Sequence, residues 1–172
     1  MRYTKTLLMT VLATAVLTSA GAYAQGMTPQ DFVTKAAIAG KTEVAAARVA
    51  VKNSQSRDVK KFARQMIKDH TQAGAALASI AQGKNLQVPT RLDAAHRQVL
   101  AGLRSQSGAA FDAAYASQMV ADHQEAVALF TAEAADKTDP DLAAFAQKTL
   151  PTLQQHMSMA NSLASAHPAA AQ

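Results

Sequence analysis

The chain has 172 residues, no cysteine, no tryptophan and a formal net charge of +5. That length can bury one core without disulfide cross-links, and the composition offers no cysteine nucleophile. So few aromatic side chains on a modestly basic chain also leave little with which to stack nucleic-acid bases, so no nucleic-acid partner is expected.

Arg2 and Lys5 precede an uncharged run from Leu7 to Ala20, which is followed by Ala22-Tyr23-Ala24. This is the three-part pattern of a cleavable secretory signal, predicting a signal peptide over 1–24 and a periplasmic mature protein. The apolar run is shorter than the roughly 20 residues that span a bilayer, so a membrane-spanning anchor is not expected. Loss of Arg2 and Lys5 with the leader lowers the net charge from +5 to +3. The remainder is rich in alanine, which favours helix and lets helices approach closely.

Five helices are predicted. The first starts at Thr28-Pro29-Gln30-Asp31, where threonine caps, proline fits the first turn and Asp31 completes a capping box. Phe32, Val33, Ala36, Ala39, Gly40, Val44 and Ala47 then recur at helical spacing up to Asn53-Ser54. The second runs from about Ser56 to Gln82, with Val59, Phe62, Ala63, Met66, Ile67, Gly74, Leu77 and Ile80 on one stripe and Gly83 as terminator. A loop follows from Lys84 to Thr90. A short helix then carries Leu92, His96, Val99, Leu100 and Leu103 and ends near Gly108. The fourth predicted helix spans Ala109 to Ala135. The last starts at Asp139-Pro140 and contains Pro151, which is expected to kink it. Residues 25–166 thus read as one helical domain and 167–172 as a flexible tail.

Asp58-Val59-Lys60-Lys61-Phe62-Ala63 parallels Asp141-Leu142-Ala143-Ala144-Phe145-Ala146, and Phe32 precedes Glu43 by the spacing that separates Phe111 from Asp122. Two helical hairpins joined by a long connection follow from this. Such a connection can return the chain along the bundle and leave the second and third long helices parallel. The expected fold is all-α, a ferritin-like four-helix bundle with a short additional helix in the connection.

Four titratable residues sit on the apolar stripes, one near the middle of each long helix: Glu43, His70, His123 and His156. They can converge in the core. Asp69 and Asp122 each precede a histidine and flank the stripe, where they can orient an imidazole on a neighbouring helix or form ion pairs at the bundle edge. Three imidazoles and a carboxylate suit a divalent transition metal such as zinc, iron or copper. They can equally form a self-satisfied polar network. Met66, Met119, Met157 and Met159 lie near the histidines, with core filling as their ordinary role. Arg57, Lys60, Lys61, Arg64 and Lys68 make a basic face on the second helix, either solvated or docking on anionic lipid or polymer of the envelope.

The Asp69-His70 and Asp122-His123 pairs, Phe111-Asp112-x-x-Tyr115 and Leu150-Pro151-x-x-x-x-His156 resemble the exported ferritin-like family catalogued as domain of unknown function 4142. The resemblance covers Asp31 to Leu163. It implies a ferritin-like bundle in the envelope and no established activity. Residues three before the histidines are Ile67, Val120 and Leu153, and Glu43 reads as the only inward glutamate. The Glu-x-x-His pairs of di-iron carboxylate bundles are therefore missing. The leading reading is a non-enzymatic binding or stress-related accessory module. The second is a metal-binding bundle with possible oxidoreductase chemistry, and the third is an interaction module using the basic face.

Overall fold

The computed structural model describes residues 26–169; the predicted signal peptide lies outside them. Five helices follow in order: α1 Pro29–Asn53, α2 Arg57–Gly83, α3 Ala94–Arg104, α4 Gly108–Ala135 and α5 Pro140–Ala166. No strand occurs among the described residues. No helix among them is long and apolar enough to cross a membrane.

The helix ends follow local chemistry. Thr28 and Asp31 form a reciprocal capping box on α1, and Ser56 caps α2 by accepting from the Val59 amide. Asp93 accepts from the His96 amide at 2.9 Å, and Asp139 receives the amides of Asp141 and Leu142. Each cap satisfies amides that have no partner inside the helix. The expected terminator of α2 is displaced: Gly83 is still helical, and the residue with positive φ beyond it is Asn85, at 56°. Asparagine tolerates that region because its short polar side chain can bond locally. Pro151 lies inside α5 without ending it.

The long helices pack α1 against α2, α4 against α5, α1 against α4 and α2 against α5. Two apolar clusters fix the directions. One joins Phe32 and Val33 near the start of α1 to Leu77 and Ala81 of α2, Leu129 and Phe130 of α4, and Leu142 and Phe145 of α5. The other joins Ala47 and Ala50 of α1, Val59 and Phe62 of α2, Leu100 and Leu103 of α3, Phe111 and Tyr115 of α4, and Leu163 of α5. Every adjacent long pair is therefore antiparallel, and α2 and α4, on the diagonal, run parallel. The crossover through α3 makes this possible, as in bundles with one long connection. Gln30 pins that crossover to α1: its side chain accepts from the Gln87 amide and donates to the Gln87 carbonyl, both at 2.8 Å. Lys84 ties the end of α2 to the start of α5 through Asp139 at 3.0 Å and Asp141 at 2.7 Å.

Glu43 is not the only covered glutamate. Glu133, near the end of α4, is 3 % exposed. Alanines surround α4 on most sides, so its apolar stripe marks no clear boundary. Burial, with Asp136 and Asp139 nearby, pushes the Glu133 carboxyl up to about 7. Its charged form is thus disfavoured in the folded chain, and stability declines as pH rises from the ordinary 4.5 towards 7. Solvent close to the helix end screens the full effect, leaving about 1 kcal/mol. Glu133→Gln is accordingly expected to raise the melting temperature at pH 8 by roughly 2–4 °C and to change it little at pH 4.5. An equal shift at both pH values would contradict this.

Candidate metal centre

Glu43 on α1, His70 on α2, His123 on α4 and His156 on α5 are all buried, with exposures of 1, 8, 0 and 1 %. Each occupies the mid-height of its helix, between the two apolar clusters. The three imidazole rings stand around one centre, with centroid separations of 5.7 Å for His70–His123, 5.3 Å for His70–His156 and 5.5 Å for His123–His156. One ring nitrogen from each lies within 4.8 Å of the others.

Each ring is held by one nitrogen. His70 Nδ1 donates to Glu43 Oε2 at 3.0 Å. His123 Nδ1 donates to the Met119 carbonyl at 2.8 Å, one turn back on its own helix. His156 Nε2 donates to Asp69 Oδ2 at 2.9 Å across the α2/α5 interface. The other nitrogens, His70 Nε2, His123 Nε2 and His156 Nδ1, are buried without a hydrogen-bond partner. Glu43 Oε1 is 3.5 Å from His123 Nδ1, whose proton is already committed to Met119, so it too makes no hydrogen bond. Buried polar atoms are nearly always partnered, and here four are left at one level of the core.

Burial works against charge on all three rings. At His70 the Glu43 carboxylate outweighs it, so this imidazole titrates above its ordinary value. Glu43 is likewise opposed by burial and held below the usual carboxylate range by His70. At His123 and His156 burial prevails and lowers both, although Asp69 supports the proton on His156. Near pH 6.5 the carboxylate–imidazolium pair therefore predominates beside two mainly neutral imidazoles.

The structure brings the four sequence-predicted residues together but gives them different places. The three histidines form the group with mutual nitrogen proximity, while Glu43 sits behind His70 and orients it. Asp69 orients an imidazole on a neighbouring helix. Among the described residues Asp122 forms no hydrogen bond or ion pair with a histidine; it accepts from Gln118 at 2.8 Å, and burial pushes its carboxyl up to about 6. Met66 and Met119 are buried in the apolar cluster nearest α3. His96 stays apart on α3, bonded to its own cap Asp93 at 2.7 Å, and His167 reaches Asp58 at 3.0 Å.

Asp112 escaped the periodicity, whereas Tyr115 falls at helical spacing on the apolar stripe with Phe111 and Met119. Asp112 and Tyr115 are buried, and Asp112 Oδ1 and the Tyr115 hydroxyl have no hydrogen-bond partner. Tyr115 stacks on Phe111 at 6.0 Å, and burial, reinforced by Glu43 and Asp122, pushes its phenol upward. The only sequence signal for Asp112 was the Phe111-Asp112-x-x-Tyr115 pattern.

The profile of the family described as "Domain of unknown function (DUF4142)" matches residues 14–163. The chain belongs to this family. No curated protein matches the sequence. Among solved structures, the family's fold in this chain is similar to a DUF305 fragment from Deinococcus radiodurans, with 16 % identity and a TM-score of 0.70 over 81 % of this chain and 97 % of that one. It is also similar to CopM in the Cu(II)-bound form, with 18 % identity and a TM-score of 0.70 over 83 % and 99 % of the two chains. At such identities the likeness shows a shared helical-bundle fold.

Proposed function

We propose that this DUF4142 protein is an exported, non-enzymatic metal-binding bundle that holds one divalent transition-metal ion on His70, His123 and His156. One observation carries the reading. Three imidazoles from three helices each have one nitrogen engaged by a partner that fixes the ring, and each has its second nitrogen buried and free. Metal-binding histidines are ordinarily anchored in this way through the far nitrogen. A polar network closed on itself would instead engage those nitrogens internally.

Ligands roughly 2.0–2.1 Å from a tetrahedral ion lie about 3.4 Å apart. The present separations, up to 4.8 Å, therefore need modest closure of the rings. Neutral nitrogen donors favour copper(II) over zinc in the ordinary affinity order, and the Cu(II)-bound state of the similarly folded CopM agrees with that choice. The predicted leader supports placement in the periplasm, with the mature chain starting at Gln25.

The test uses tag-free mature protein from the periplasm, stripped with a chelator and titrated with copper(II) and zinc. One equivalent of copper(II), with nitrogen coordination in its electron paramagnetic resonance spectrum, is expected. The ion must displace the proton that Glu43 stabilises on His70. Affinity should therefore fall about tenfold for each pH unit below the raised His70 value. Failure to retain either ion, or retention unchanged in a His70→Ala, His123→Ala double variant, would return the cluster to a structural role.

A further inference from the structure

A cavity of about 800 Å³ runs along the α1/α2 groove into the bundle. Its inner wall is apolar, formed by Ala36, Leu77, Phe130, Phe145 and Leu153, and it passes the His70 and His156 rings. The groove is wide because the facing residues are small. A Cβ added at Gly74 meets nothing within 4 Å, and one at Gly40 meets only His70 Nδ1 at 3.9 Å. Both acids that line the cavity, Glu43 and Asp69, are already committed to histidines.

Its cations have no such partners. Lys41, Arg48, Lys52 and Arg104 line the same cavity, are exposed, and, among the described residues, form no ion pair with a carboxylate. Arg48 and Lys52 are one turn apart on one side of α1, and Arg104 comes from the end of α3. From Ala36 to Lys52 the groove follows 16 residue steps of α1, about 24 Å. A long apolar trough with unpaired cations towards one end is the complement of a molecule with an alkyl tail and an anionic head. Water fills such a space poorly, since an ordered water needs two to four polar partners. The volume also lies within the usual range for small-molecule pockets, and arginine forks match carboxylate and phosphate oxygens.

We infer that this cavity binds a single-chain amphiphile with one anionic head group, the head at Arg48, Lys52 and Arg104 and the tail in the trough past His70. The inference goes beyond metal binding and does not depend on it. Its test therefore uses chelator-treated protein, in which the histidines carry no ion. Isothermal titration with dodecanoate is expected to show one saturable site per chain. Dodecanol should bind at least about tenfold more weakly. Gly74→Phe, which fills the trough from an exposed position, and Arg48→Glu, Lys52→Glu, which reverses the head-group charge, should each weaken dodecanoate by about tenfold or more. Circular dichroism melting of every variant verifies the fold. If Gly74→Phe unfolds the bundle, the surface charge pair still decides. Dodecyl phosphate, as a parallel arm, separates a fatty-acid source from a phosphate-headed lipid: equal binding admits both, and weaker binding selects the carboxylate. Absence of saturable binding, dodecanol binding as tight as dodecanoate, or unchanged affinity in the folded variants would overturn the inference.

Discussion

His123→Ala is expected to weaken copper(II) binding by more than about a hundredfold. Loss of a residue that merely orients a metal ligand typically lowers affinity 10–100-fold, and removal of one of three donor rings exceeds that. His123 suits the test because it is wholly buried and its anchor is the Met119 carbonyl of its own helix, at 2.8 Å. Its removal leaves the Glu43–His70 and Asp69–His156 pairs in place. The metal-free variant should stay within about 2 kcal/mol of the parent, because the hole left by the ring is offset by deletion of a buried, unpartnered nitrogen. Competition with a chelator of known strength reads the affinity. Asp69→Asn supplies the contrast, since it removes only the carboxylate behind His156 and should fall in the 10–100-fold range. Equal losses in the two variants, or none in His123→Ala, would place the ion elsewhere.

The second large effect concerns the empty centre. His70→Ala is expected to destabilise metal-free protein by about 3–5 kcal/mol near pH 6, because it leaves Glu43 charged, buried and without its ion-pair partner. Glu43 is 1 % exposed, and its other oxygen has no hydrogen bond to fall back on. Its folded pKa lies below 4.5 in the parent, so its stabilising contribution is present above 4.5 and lost as pH falls through the folded value. His70 lies above 6.5, so its contribution is complete below 6.5 and lost as pH rises through the folded value. The pair is therefore fully formed between those limits, and the variant's deficit is greatest there. Near pH 4 the variant's Glu43 is protonated and the deficit shrinks. The reciprocal change, Glu43→Gln, is milder, because a buried His70 without its carboxylate simply sheds its proton. Urea denaturation of both variants at pH 4 and 6 decides the matter; a pH-independent loss would point to packing alone.

Much of this arrangement is legible in the sequence because its signals are local. Thr28 and Asp139 cap where they are expected to, and α2 begins beside Ser56 as expected, since a helix start needs only its own first turn. The inward direction of Glu43, His70, His123 and His156 follows from stripes that a few bulky residues define. Interhelical register is not local. Asp69 and Asp122 stand in the same relation to their histidines, yet Asp69 bonds His156 on α5 whereas Asp122 accepts from Gln118 on its own helix. Glu43 is likewise indistinguishable in the sequence from a direct ligand, and its position behind His70 depends on how α1 is set against α2. Glu133 and Asp112 are hidden because alanines make α4 apolar on nearly every side. The cavity escapes for a related reason: periodicity shows where small residues lie, but not whether neighbouring helices close over them.

The three rings do not belong to one hairpin. His70 comes from the α1/α2 unit, and His123 and His156 come from the α4/α5 unit, with the crossover between them. Without an ion, the two units are joined along the α1/α4 and α2/α5 seams by the shared apolar clusters, the Asp69–His156 hydrogen bond and the Lys84 ion pairs. An ion bonded to all three rings spans that division and closes a ring of chain from residue 70 to residue 123, with α3 inside it. Occupancy would then add a bonded link between the hairpins to contacts that are otherwise noncovalent.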